Sequence, residues 1–163
     1  MKYEIKDNFL PKENFNIIKN LIFDPRFNWF YKPDVNISGV DSPNMIFYFQ
    51  HIFYNKVPFS ELFKIINENL LSFIDIKALI RVKANLYPNQ HIKKENGFHI
   101  DYDFSHKGAI LYLNTNNGRT ILDNDIKIDS IENRILFFDP SIPHDSENCT
   151  DQKVRVNINI NYF

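Results

Sequence analysis

A mainly β protein with N-terminal helices is what this sequence predicts, and two patterns predict it. First, two stretches alternate strictly: Ile80, Val82, Ala84 and Leu86 against Arg81, Lys83, Asn85 and Tyr87, and Val154, Val156, Ile158 and Ile160 against Lys153, Arg155, Asn157, Asn159 and Asn161. A strand repeats its faces every two residues, so each stretch has one apolar and one polar face. Second, two earlier stretches space their apolar residues as a helix does. The change falls at about Ile76.

The composition bounds the rest. A chain of 163 residues makes one domain, and at this size about two thirds of the unfolded surface can be buried. Sixteen Phe and eight Tyr supply a core. A formal net charge of -1 argues against a basic groove for nucleic acid. The single Cys149 cannot form an internal disulfide, has no visible base beside it, and points to no oxidising compartment. Met1-Lys2-Tyr3-Glu4 lacks the apolar core of a signal peptide, and no apolar run approaches a membrane span. The expectation is a soluble cytoplasmic protein with no membrane partner. The bias toward Asn, Ile, Lys and Phe, and away from Ala, Gly and Arg, suits an AT-rich genome.

In chain order, Leu10-Pro11-Lys12-Glu13 reads as a helix start, since Pro fits the first helical position. Phe15, Ile18, Leu21 and Ile22 form its apolar face, and Asp24-Pro25 ends it. The segment to Asp41-Ser42-Pro43 reads as loop, with Trp29, Phe30 and Tyr31 either a lid or a buried plug. Met45–Tyr54 is rich in β-formers and predicts a strand. Ser60 is a candidate N-cap for a second helix with Leu62, Ile66, Leu70 and Phe73 on its buried side. No repeat, linker or low-complexity tract marks a domain boundary.

Four polar groups on one strand face ordinarily mean solvent. One arrangement explains both alternating strands differently. Their apolar faces pack outward on the helices, and their polar faces line the wet mouth of a curled double sheet. A flat sheet with one solvated face fits the alternation equally well.

The chemistry gathers between Gly97 and Asn161. In Gly97-Phe98-His99-Ile100-Asp101 the alternation puts His99 and Asp101 on one side, with Phe98, Ile100 and Tyr102 on the other. Imidazole and carboxylate together make two thirds of a 2-His-1-carboxylate site for non-haem Fe(II). His144, in Pro143-His144 after the strand Ile135-Leu136-Phe137-Phe138, is the candidate third ligand. Arg155 is placed to hold an organic acid's carboxylate. His-x-Asp alone is a weak signal, and the plain alternative for His99 is a half-buried strand histidine bonded to a neighbour. His51, in an aromatic strand, reads as a satisfied core or edge histidine. His91 reads as a hydrated loop residue and His106 as a turn residue. Asp103 is either a second acceptor beside the ligands or a turn residue.

The segments Asn85-Leu86-Tyr87-Pro88, Phe98-His99-Ile100-Asp101, Ala109–Asn114, Asn117-Gly118-Arg119-Thr120, Asn133-Arg134, Pro143-His144 and Arg155 onward carry a resemblance. Together they resemble the 2-oxoglutarate- and Fe(II)-dependent oxygenases in their prolyl 4-hydroxylase-like branch, most of all the short oxygenases of aquatic phages. The resemblance runs from about Ile76 to the C-terminus and is thin before it. It favours the double-stranded β-helix, or jelly roll, over the flat sheet. It also implies a single oxygenase domain over 1–163, with 1–75 as helical and loop support and 76–163 as the catalytic core.

What the resemblance implies chemically is specific. His99, Asp101 and His144 would hold Fe(II), and 2-oxoglutarate would chelate it through the keto acid, leaving a position for dioxygen. Ascorbate would be an accessory cofactor. The far carboxylate would pair with Arg155, eleven residues after His144, a bidentate match that suits Arg. Lys153, with the same parity, is the rival. Tyr87 would add a hydroxyl. A carboxylate at Asp101, where the family's halogenases have a small residue, implies a hydroxylase acting on an unactivated C–H bond.

Substrate contacts in such folds come from loops, here Asp24 to Pro43 and Pro88 to Asn96, and loop composition does not encode a target. The branch favours a prolyl or other protein or peptide side chain, with a small molecule open; the oligomeric state is equally open. For a phage-encoded chain the location would be the host cytoplasm. Two other classes compete: a cupin-like metal- or sugar-binding module, and a metal-free structural jelly roll in which the three ligands would scatter.

Overall fold

The two alternating stretches pair with each other. In the computed structural model, which describes residues 2–33 and 47–163, β5 (Leu79–Pro88) and β11 (Val154–Tyr162) run antiparallel. Arg155 stands opposite Tyr87, Asn157 opposite Asn85, and Asn159 opposite Lys83. The polar residues of both strands therefore share one face, and the apolar residues share the other.

The remaining strands are β1 (Glu4–Lys6), β2 (Phe30–Lys32), β3 (Tyr48–Asn55), β4 (Val57–Pro58), β6 (Lys107–Tyr112), β7 (Asn116–Leu122), β8 (Ile126–Ser130), β9 (Ile135–Phe138) and β10 (Asp145–Ser146). The larger sheet has the order β1-β9-β6-β11-β5-β3-β2, with β4 beside β3; the smaller has the order β10-β7-β8. All described pairings are antiparallel. The two sheets face each other, as Arg155 of β11 shows by bonding across to Thr120 of β7. This is a double-stranded β-helix, so the flat-sheet alternative falls.

Between the sheets lie two unlike environments. At one side Ile110, Tyr112, Leu136 and Phe138 of the larger sheet bury themselves against Leu122 and Ile128 of the smaller. At the other, the polar face of β5 and β11 borders a cavity of about 840 Å³.

The outer face of the larger sheet is covered by α1 (Lys12–Ile22) and α2 (Phe63–Asn69). Phe15, Ile18 and Ile22 fall on one side of α1, and all three are buried. They join Ile66 and Leu70 in one cluster with Val82, Ala84, Val156, Ile158 and Ile160. Burying each Val, Leu or Ile of this cluster stabilises the fold by about 1.5–3 kcal/mol. Cutting the fully buried Ile66 to Ala would cost about 2–5 kcal/mol.

Several expectations need correction. The segment after Asp24-Pro25 is not all loop, because Phe30–Lys32 pairs with β3 as an edge strand. Phe30 and Tyr31 are exposed there, while Trp29 packs partly buried against the core and stacks edge-on to Phe27. Residues 34–46, including Met45 and Ile46 of the predicted strand, lie outside the described residues. Ser60 does not cap α2. Its hydroxyl accepts the Leu62 N–H at 3.2 Å in a preceding turn, and the helix starts at Phe63. Phe73 is exposed, because the helix ends at Asn69 and a 3-10 turn, Leu71–Phe73, buries Leu71 in its place. Residues before 76 also extend the larger sheet through β1, β2 and β3. No helix among the described residues is long and apolar enough to cross a membrane.

Candidate metal centre

Gly97, at φ 92°, takes a conformation that favours glycine and directly precedes the cavity-lining Phe98 and His99. Two residues on, His99 pairs with His144 in an isolated antiparallel bridge. The His99 N–H donates to the His144 carbonyl at 2.9 Å, and the His144 N–H returns a bond at 3.0 Å. The strand expected over 98–102 is reduced to this bridge. Directly opposed residues point their side chains to the same face, and the two ring centroids lie 4.5 Å apart. The Asp101 N–H bonds the Pro140 carbonyl at 2.9 Å, which brings the carboxylate in alongside.

His99, Asp101 and His144 then offer three ligating atoms that all lie within 4.8 Å of one another. In His144 the Nδ1 faces the Ile142 carbonyl at 3.1 Å, and in His99 the Gly97 carbonyl at 3.4 Å. A carbonyl can only accept, so these bonds assign the proton to Nδ1 and leave each Nε2 lone pair free for a metal. Burial, with the neighbouring His144 disfavouring a second positive charge, pulls the His99 imidazole down to about 4. Burial pulls His144 down as well. Both rings are thus held neutral, the form a metal needs.

Asp101 is kept ionised by its neighbours. Burial pushes its carboxyl up, but the charges of Arg81 and Lys83 outweigh that and hold it well below the usual carboxylate range. Arg81 donates Nη2 to Oδ1 at 2.7 Å, and Asn159 donates to Oδ2 at 3.4 Å. The Arg81 guanidinium also lies over the Tyr102 ring. Asp103, by contrast, is exposed, and so supports neither ligand.

Arg155 is buried at 1% exposure. Its Nε donates to Ser130 Oγ at 2.9 Å and its Nη2 to Thr120 Oγ1 at 3.0 Å. Tyr87 and Tyr112 stand against the guanidinium at 5.3 and 5.8 Å. The remaining nitrogen, Nη1, is buried with no hydrogen-bond partner. Such a group is costly unless an acceptor meets it. Tyr87, stacked on Tyr48, has its hydroxyl pushed up by burial, with the Arg155 charge and a bond to Ser146 partly offsetting that. Lys153 is exposed and is not among the lining residues.

The other histidines are accounted for elsewhere. His51 bonds Asn28 and Ser60, and His106 bonds Phe104 and Asn161. His91 is exposed at φ 63°. Cys149 is buried with its thiol toward the Gln152 carbonyl, and burial pushes its pKa up. Of the two loops expected to meet substrate, Lys32 and Pro33 line the cavity, while none of the residues 88–96 does.

Sequence reasoning missed Arg81 as the partner of Asp101 and Thr120 and Ser130 as the supports of Arg155. Arg81 could have been found, since it shares the polar face of Lys83, Asn85 and Tyr87. Thr120 and Ser130 gave no signal, because they reach Arg155 from the opposite sheet.

No protein-family model matches this sequence, and no curated protein matches it either. Solved structures do. A prolyl hydroxylase from Trichoplax adhaerens, in complex with a peptide fragment of the hypoxia inducible factor oxygen degradation domain, superposes with TM-score 0.74 at 19% identity over 99% of this chain and 83% of that one. A Pseudomonas putida prolyl-4-hydroxylase gives 0.62 at 14% identity over 98% and 91%. An oxidoreductase of the 2OG-Fe(II) oxygenase family from Burkholderia pseudomallei gives 0.69 at 9% identity over 98% and 84%. At such identities the likeness is one of architecture: this chain has the double-stranded β-helix fold of these enzymes.

Proposed function

We propose that the chain is a 2-oxoglutarate- and Fe(II)-dependent dioxygenase that hydroxylates an unactivated C–H bond. One observation carries the reading. Two neutral imidazoles and one carboxylate converge within 4.8 Å, in the same cavity as a buried arginine with a free Nη1. The donor set suits a first-row divalent ion and leaves positions open. The free guanidinium nitrogen suits a carboxylate, and a metal-free wall has no need of it.

The residues fit both groups. His99, Asp101 and His144 would hold the iron, while Arg155 and Tyr87 would receive the far carboxylate of 2-oxoglutarate. When bound, these groups supply an oxidation in which dioxygen and 2-oxoglutarate become succinate, CO2 and the hydroxyl oxygen of the product. The chain's own task is positioning. Thr120 and Ser130 fix the guanidinium plane, Arg81 and Asn159 fix the carboxylate, and the His99–His144 backbone bridge fixes both rings.

The substrate class that best suits the fold neighbours is a protein or peptide side chain, with a small molecule as the second reading. The test is whether purified protein binds one Fe(II) and turns 2-oxoglutarate over to succinate without added substrate. Metal binding without turnover would favour the binding-module reading. No metal binding at all would end the proposal.

A further inference from the structure

Lys83 enters the cavity wall from β5. Among the described residues it makes no hydrogen bond and no ion pair, and its ammonium stands 6.0 Å from the Tyr48 ring centroid. The charges of Arg81 and Lys32 act on it, and so does the carboxylate of Asp101. Arg81 already serves Asp101 through Nη2, yet its buried Nε has no partner. Lys83 therefore stands at this end of the cavity with no acceptor among the described residues, beside an Arg81 whose Nε is unmet.

The charge balance says what this end of the cavity would take. Lys32, Arg81, Lys83 and Arg155 line the cavity, against the carboxylates of Asp101 and Asp145. A divalent ion and the dianion of 2-oxoglutarate cancel each other, so binding both leaves the excess of cations unchanged. Lys83 is partly buried in that wall, and an ammonium there with no counter-ion leaves a place for a carboxylate.

Both carboxylates of the cosubstrate already have a cation of their own, the metal at one end and Arg155 at the other. Arg155 stands opposite Tyr87 and Lys83 opposite Asn159. The two cations thus enter two cavity-facing steps apart, about 13 Å along the strands. Asp101, and with it the metal position, is on the Lys83 side, bonded to Arg81 and Asn159. A diacid that chelates the metal at one end and reaches Arg155 at the other has no third carboxylate for Lys83.

We infer that the substrate carries a carboxylate of its own, seated against Lys83 with Lys32 and Arg81 at its sides. The inference rests on the oxygenase reading and names the substrate class of that same site: an organic acid, free or as an acidic residue in a peptide. The cation places this carboxylate beside the metal, so the C–H bond to be oxidised lies close to the acid group.

The test uses whole protein loaded with Mn(II) and 2-oxoglutarate in the absence of dioxygen, so that Arg155 is already engaged. L-Aspartate, L-glutamate and a blocked peptide with one Glu are titrated beside L-asparagine, L-glutamine and the matching Gln peptide. The acids should bind roughly tenfold or more tightly than their amides, the discrimination expected of a charge-assisted contact. Binding by free acids supports a small-molecule source, and binding by the Glu peptide supports a peptide source. Binding by neither overturns the inference, as does equal binding of acids and amides or a preference for inorganic phosphate. Lys83→Met should weaken the acid roughly tenfold more than it weakens 2-oxoglutarate, and Lys83→Arg should restore the acid. If Lys83→Met weakens 2-oxoglutarate instead, Lys83 anchors the cosubstrate and the inference is wrong. Mn(II) binding is read first by electron paramagnetic resonance. Its failure counts against the oxygenase reading, whereas Mn(II) and 2-oxoglutarate binding without acid binding counts against this inference alone.

Discussion

Arg81 of β5 donates to Asp101 across 2.7 Å, and both side chains are largely withdrawn from solvent, at 19% and 6% exposure. Without a metal, Arg81 is the main counter-charge of a buried carboxylate. With one, the carboxylate gains a second cation.

The first prediction uses that exchange. Removing one partner of a buried pair leaves the other uncompensated, at a cost of about 3 kcal/mol. Arg81→Met should therefore lower the melting temperature of metal-free protein. Added Mn(II) should then raise it by more than in the unmodified chain, because the ion replaces the lost charge. A variant that melts like the original, or gains nothing extra from metal, would show the pair to be unimportant.

His144→Ala should abolish metal-dependent stabilisation while leaving the far-ultraviolet circular dichroism intact. The bridge to His99 is made by backbone groups, which the substitution keeps. Only the ligand is lost. Retained high-affinity Mn(II) binding would remove His144 from the ligand set.

Arg155→Met should raise the 2-oxoglutarate concentration needed for half-saturation roughly ten- to hundredfold, the worth of a hydrogen bond to a charged group, with Mn(II) affinity little changed. Lys153→Ala, on the surface, should leave that concentration where it was. Gly118→Ala is the sharper test. A Cβ there would stand 2.7 Å from Arg155 Cδ and 3.0 Å from the Asn148 carbonyl, too close for either to stay in place. It should weaken 2-oxoglutarate without touching a ligand, as isothermal titration would read.

The pH dependence has a definite sign. His99 has a folded-state value of about 4, below the 6.5 of an ordinary imidazole, through burial and then the nearby His144. Between those values the unfolded chain holds a proton that the folded chain does not, so stability rises with pH across the window. The contribution is complete above 6.5 and is lost as pH falls toward 4. Metal-free protein should melt lower at pH 5 than at pH 7, and His99→Gln should narrow the gap. Asp101 acts in the same direction at lower pH, because Arg81 and Lys83 hold its carboxyl down.

Much of this architecture is legible in the sequence because alternation is a local signal. Ile80–Tyr87 and Val154–Asn161 declare their two faces in the order of their residues alone, and His99 and Asp101 declare a shared side in the same way. The partners are less legible. Thr120 and Ser130 reach Arg155 from another sheet, and an isolated bridge after the positive-φ Gly97, rather than a regular strand, delivers His99. Phe73 misleads because its helical spacing outlasts the helix, which stops at Asn69. The pairing of Phe30–Lys32 with β3 is hidden by a neighbourhood rich in Pro, Asn and Ser, where the edge pairing is decided by the partner strand.

In β11, residues that wall the cavity and residues that fill the core take turns: Arg155, Asn157 and Asn159 face the chamber, and Val156, Ile158 and Ile160 face the helices. Substitution and insertion therefore meet opposite fates in this strand. Any one cavity residue can be exchanged with its neighbours left in register, so the chemistry of the chamber is free to drift in small steps. A single residue gained or lost would bring the amides into the core and the aliphatics to the metal in one move. The strand can be rewritten letter by letter, but its reading frame in space is fixed.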